Sequence, residues 1–160
     1  SKHRNDVIID AALRCIAPSL PFRILCVRLE HGRILAHKFE QAGLGIPFMR
    51  GGMSLTEVVM DIDAGRLPGV IMSTIGDQGI DMPNVRALIV GGGFRSPLRT
   101  MQRLGRSVRK KTTGENAVDV LDMMDTGHRT IKSQADDRRR TYTRKKMTPR
   151  IIDSLDDWLR

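Results

Sequence analysis

Arginine is the residue type best placed to do chemistry in this sequence. Between Met82 and Gly114 there is no Asp or Glu, while Arg86, Arg95, Arg99, Arg103, Arg106, Arg109, Lys110 and Lys111 accumulate. A solvated helix face normally mixes signs so that charges pair at i to i+4. This one has no acid, and the uncharged Gln102 and Gly105 are set among the arginines. Arg106 and Arg109 stand three apart, so on a helix their guanidinium groups converge and can hold one phosphate. A positive field of this kind needs an anion.

Regular elements must position it. Val70 to Ser73 and Val85 to Val90 read as buried strands joined by a polar loop. Gly91, Gly92 and Gly93 break the second strand, and Ser96-Pro97 starts a helix with a capping hydroxyl and a proline whose missing amide costs nothing there. Leu98, Met101, Leu104, Gly105 and Val108 then recur on one side, and Arg99, Gln102, Arg103, Arg106 and Arg109 on the other. In a parallel α/β sheet ligands bind beyond the carboxyl ends of the strands, so residues 74–83 and 91–96 are where chemistry is expected. Two phosphate-binding loops are excluded. The glycine run fails the GxGxxG pattern at Ser96, and no GxxxxGK[ST] occurs anywhere.

The flanking chain repeats the same alternation. A helix is predicted from Asn5 to Ala17, stopped by Pro18; a strand from Phe22 to Leu29; and a helix lined by Leu35, Phe39 and Ala42 and capped by Gly43. A second strand, Ile46 to Met49, leads into Gly51 and Gly52, where backbone can turn sharply or approach a ligand. Ser54-Leu55-Thr56-Glu57 has the form of a capping box, opening a helix with Leu55, Val58, Val59 and Ile62 buried and Gly65 at its end. Ala117 to Met124 reads as a closing strand and residues 126–146 as a polar helix, whose Arg138, Arg139, Arg140, Arg144, Lys145 and Lys146 form a cationic run. Residues 149–160 read as a short amphipathic helix, with Ile152, Leu155, Trp158 and Leu159 opposite Asp153, Asp156 and Asp157, docked on the domain or a neighbour. The pattern specifies an α/β fold with an open, mostly parallel sheet flanked by helices.

Composition narrows the partners. At 160 residues and 17.9 kDa the chain fits one domain with a real core. A net charge of +9 and a pI near 10.4 suit a polyanion such as nucleic acid, and an aromatic content of 4% argues against base stacking in favour of backbone phosphate contact. Cys15 and Cys26 lie in apolar patterns, as buried reduced thiols do, and no His/Cys spacing fits zinc, so no metal is expected. With no membrane-length apolar run and no signal-peptide pattern, a cytoplasmic or nucleoid protein is expected, with no membrane partner.

Two linked stretches carry a family resemblance. Gly79-Ile80-Asp81 within STIGDQGIDMP, followed by Gln102-Arg103-Leu104-Gly105-Arg106-Ser107-Val108-Arg109, resembles motifs V and VI of superfamily 2 helicases in order and spacing. Upstream, FRILCVRLEHGRILAHKFEQAG resembles motif IV and IPFMRGGMS the glycine turn after it, so the similarity reaches to about Lys146. Gln102 at the head of motif VI is similar to the DExH-type repair and phage DNA helicases rather than the DEAD-box RNA group.

The resemblance implies a second RecA-like domain over residues 1–148, the C-terminal half of an ATP-driven motor. It implies ATP and Mg2+ held mainly by an N-terminal RecA-like domain, and nucleic acid, DNA more than RNA, as partner. Carried over by position, Gly79 and Asp81 contact the nucleotide's ribose, Arg106 and Arg109 reach its phosphates with Arg109 as arginine finger, and Gln102 couples the site to the facing domain. Thr74 with Gly51 and Gly52 would hold the nucleic-acid backbone. The sequence departs from the family after the glycine turn, where Leu55, Thr56 and Glu57 occupy the neighbourhood of an arginine common in other members. Three rivals remain: a stand-alone basic nucleic-acid-binding module without ATPase activity, an RNA helicase domain, and a doubly wound nucleotide-binding regulatory domain.

Overall fold

The computed structural model describes residues 2–73, 82–92, 118–124, 127–144, 147 and 149–159. The elements run α1 (Lys2–Ile16), β1 (Phe22–Cys26), α2 (Leu29–Gln41), β2 (Phe48–Met49), α3 (Thr56–Asp63), β3 (Gly69–Ser73), β4 (Ala87–Val90), β5 (Asp119–Asp122) and α4 (Arg129–Arg144). The sheet order is β2-β3-β1-β4-β5 and every pairing is parallel. Phe22 stands opposite Gly69 on one side and Ala87 on the other. All five carboxyl ends therefore share one rim: Cys26, Met49, Ser73, Val90 and Asp122.

The central strands are buried on both faces, which is why their sequences are continuous apolar runs rather than alternating ones. Phe22, Ile24, Cys26, Ile71, Ala87 and Ile89 face α1 and α2, meeting Ile8, Ala11, Ala12, Cys15, Leu35 and Phe39. Leu25, Val70, Met72, Leu88 and Val90 face the other way, toward Ile62 of α3 and Tyr142 of α4. Gly32 lets α2 lie directly on β2, because a Cβ there would collide with the Phe48 ring. Both cysteines are free and buried, and burial pushes their thiols up to about 12, with Asp119 adding to the effect on Cys15.

Several boundaries differ from the sequence pattern. The first strand stops at Cys26 rather than Leu29, because Val27 and Arg28 leave the sheet exposed and Leu29 already begins a helix. The second strand is two residues, not four. Ser54 does not cap α3: the N-cap is Leu55, with φ −98° and ψ −4°, and no side-chain bond closes it, so the capping box is not formed. Over 149–159 the only helical structure is one 3-10 turn, Leu155–Asp157, capped by the Ser154 hydroxyl accepting from the Asp156 amide at 3.1 Å. A segment this short cannot nucleate an isolated α-helix. Its apolar side chains still reach the core: Trp158 is buried in the cluster beneath α1, and Asp156 pairs with Arg14 of α1 at 2.8 Å.

Candidate nucleotide and nucleic-acid site

Of the eight residues given site roles by the resemblance, Gly51 and Gly52 fall among the described ones. They sit just past the end of β2, where the Met53 amide donates to the Arg50 carbonyl at 3.2 Å to close a tight turn. Gly52 has φ +83°, the left-handed value that the third residue of a type II turn needs. An ideal Cβ on Gly52 would meet nothing within 4 Å, and Arg50, Gly51, Gly52 and Met53 are all exposed. The turn therefore presents bare backbone to solvent at the rim. Thr74, Gly79 and Asp81 follow β3 in the chain, and Gln102, Arg106 and Arg109 lie between β4 and β5 in sequence; all six are outside the described residues.

The mouth between β1 and β4 is built differently. Connections leave β1 toward β2 on one side and β4 toward β5 on the other, so these neighbours flank the point where the winding reverses. Here the Gly91 amide donates to the Leu25 carbonyl at 2.9 Å, and a Cβ on Gly91 would lie 2.8 Å from that same oxygen and 3.3 Å from the His31 ring. Gly92, at φ +100°, passes under Arg4 of α1. His31, in the first turn of α2, pairs with Asn5 of α1 at 2.8 Å. Burial, and then the Arg4 charge, lower the His31 pKa, favouring a neutral ring. The opening turns of α1 and α2 thus close this crevice with protein. Sequence reasoning missed Arg4, Asn5 and His31 because the pattern of α1 shows its apolar stripe, not which strand end its first turn will cover.

The end of β5 is locked. Arg138 of α4 is 2% exposed and forks onto Asp122, Nε donating to Oδ2 at 2.7 Å and Nη2 to Oδ1 at 3.0 Å, with a further bond to the Met123 carbonyl at 3.3 Å. The Tyr142 hydroxyl donates to the same carboxylate at 2.8 Å. Burial works against the Arg138 charge, but Asp122 and Tyr142 outweigh it and the guanidinium pKa is raised. Burial and the Asp122 charge also raise that of Tyr142. The cationic run is therefore not uniform: Arg138 is a structural anchor, while Arg139, Arg140 and Arg144 remain exposed.

No family model matches the chain. It is 36% identical over 65 residues to the DNA 3'-5' translocase XPB2 of Sulfurisphaera tokodaii, covering 41% of this chain and 15% of that protein. Over 55 residues it is 36% identical to the ATP-dependent DNA helicase MPH1 of Coccidioides immitis, covering 34% of this chain and 5% of that one. Among solved structures it resembles the C-terminal domain of the DEAD-box protein Dbp5, with a TM-score of 0.72 at 18% identity, over 98% of this chain and 87% of that one. These similarities support a superfamily 2 helicase domain. T4 UvsW shares the fold of this chain with a TM-score of 0.73 at 15% identity, over 90% of this chain and 33% of that one. The fold is that of a RecA-like helicase C-terminal domain. The matched stretch spans less than a sixth of the length of either curated relative. Among the described residues, no helix is long and apolar enough to cross a membrane, and no cluster of His, Cys, Asp or Glu could hold a metal.

Proposed function

We propose that this domain is the C-terminal half of an ATP-dependent DNA translocase or helicase, working against an N-terminal RecA-like domain that holds most of the ATP and Mg2+. The observation that carries the proposal is the order of motif-like segments on this fold: 74–81 after β3, and the arginine stretch with Gln102, Arg106 and Arg109 between β4 and β5. Similarity to proteins described as a DNA translocase and an ATP-dependent DNA helicase supports DNA over RNA.

In this reading Gly79 and Asp81 face the ribose, Arg106 and Arg109 face the phosphates, and Gln102 relays their state to the opposite domain. Bound ATP with Mg2+ supplies the transferable phosphoryl group. Arg109 supplies positive charge to that group only when the domains close, an effect worth ~10³ to 10⁵ in rate for arginine fingers generally. Hydrolysis is thereby tied to domain motion. Thr74 and the open Gly51-Gly52 turn hold the nucleic-acid backbone through amides and a hydroxyl, a grip indifferent to base sequence that permits stepping.

The test is ATP turnover by the 160-residue chain against turnover by the protein that carries it with its facing domain. No turnover by the chain alone, and DNA-stimulated turnover by the larger protein, are expected. Robust hydrolysis by these residues alone would overturn the half-motor reading.

A further inference from the structure

α4 is anchored through one half only. Its buried residues, Ala135, Arg138, Thr141 and Tyr142, all lie beyond its first six positions, and the two that reach the sheet by hydrogen bonds meet at Asp122, the last residue of β5. From Arg129 to Gln134 nothing is buried, and Ile131 is 36% exposed. Six helical residues extend about 9 Å. A helix end that buries nothing gains no packing energy, and helices of this length owe most of their stability to packing.

The charges on this half do not serve the helix itself. The first turn contains no acid, although a carboxylate there would complement the helix dipole, and it holds Arg129 and Lys132 instead. Neither makes an ion pair among the described residues. Farther along, Arg139, Arg140 and Arg144 are exposed; Asp137 pairs weakly with Arg140 at 3.5 Å, with Arg140 still 76% exposed. The fork from Arg138 to Asp122 fixes the rotation of α4, and so fixes which face these cations present.

We propose that the outer face of α4 is a second nucleic-acid contact, with Arg129 and Lys132 gripping the phosphate backbone of a duplex beside the strand-end rim, and Arg139 and Arg144 flanking that face on either side farther along. The inference rests on the reading that this domain binds nucleic acid. Charge complementarity selects a polyanion, and the residues present select its backbone: the lone aromatic of α4, Tyr142, is buried and bonded to Asp122, so no ring is offered to an unpaired base. A duplex displays ordered phosphates outward without requiring stacking. Such contact would be independent of base sequence.

The experiment measures binding of the 160-residue chain to fluorescent duplex and single-stranded oligonucleotides between 50 and 200 mM salt, roughly the range over which phosphate contacts are read out. Arg129→Gln with Lys132→Gln is expected to lower the salt dependence of duplex affinity by about two ion equivalents, equally across sequences. Arg139→Gln with Arg144→Gln should act in the same direction. Poly-glutamate should compete poorly. If the unsubstituted chain binds duplex and both double variants keep its salt slope, the second contact is overturned while the motor reading stands. Loss confined to single strands, or equal competition by poly-glutamate, overturns it as well. If the unsubstituted chain binds no nucleic acid, the second contact is overturned, while DNA-stimulated turnover by the larger protein still decides the motor reading.

Discussion

Two glycine pairs stand at the same rim of the sheet and do opposite things. Gly91-Gly92 is shut in between β1, α1 and α2, with the Leu25 carbonyl 2.8 Å from where a side chain would begin. Gly51-Gly52 is exposed, with no atom within 4 Å of the position a Cβ would take on Gly52. In sequence the two look alike: a glycine run at the end of an apolar strand. The difference is in what covers them, since α1 and α2 begin over the β1–β4 mouth while nothing described covers the end of β2. The open pair leaves its backbone to solvent, and the shut one serves the close packing of elements. The end of β5 belongs with the closed side, sealed by Arg138 and Tyr142 on Asp122.

The closed side should be the expensive one to disturb. Arg138→Ala leaves the Asp122 carboxylate, 14% exposed, without its fork, and we expect unfolding free energy to fall by about 3 to 5 kcal/mol in urea titration. A loss below about 1 kcal/mol would mean that the fork does not hold α4 in solution. Next in size, Gly91→Ala forces a methyl against a central strand's backbone and should lower stability by about 1 to 3 kcal/mol without a direct effect on DNA affinity. Gly52→Ala should cost about 1 kcal/mol, from its left-handed backbone alone, and weaken DNA binding. If the two substitutions gave the same pattern in stability and affinity, the distinction between the glycine pairs would be gone.

Much of the fold could be read directly from sequence because buried parallel strands are short apolar runs and helix stops are glycines, as at Gly43 (φ +79°) and Gly65 (φ +74°). Boundaries were less legible. Phe22 to Leu29 is apolar enough to be one strand, yet pairing ends at Leu25 opposite Val90 and at Cys26 opposite Ser73, the residues that end β4 and β3. The Arg138 anchor escaped because periodicity counts arginine as polar. The available signal was its place on the same helical face as Ala135 and Tyr142, three and four residues away, with Asp122 at the preceding strand end. The tail forms one 3-10 turn where a helix was expected, since Trp158 needs no more than that to reach the core. The turn at Gly51 and Gly52 was legible from residue type, but its openness follows from tertiary packing that a single sequence does not display.

The arginine stretch with which the sequence was approached is best tested at Arg109. In the protein that joins this domain to its facing RecA-like domain, Arg109→Ala should abolish DNA-stimulated ATP turnover while ATP still binds. Turnover equal to that of the unsubstituted protein would contradict the arginine-finger account.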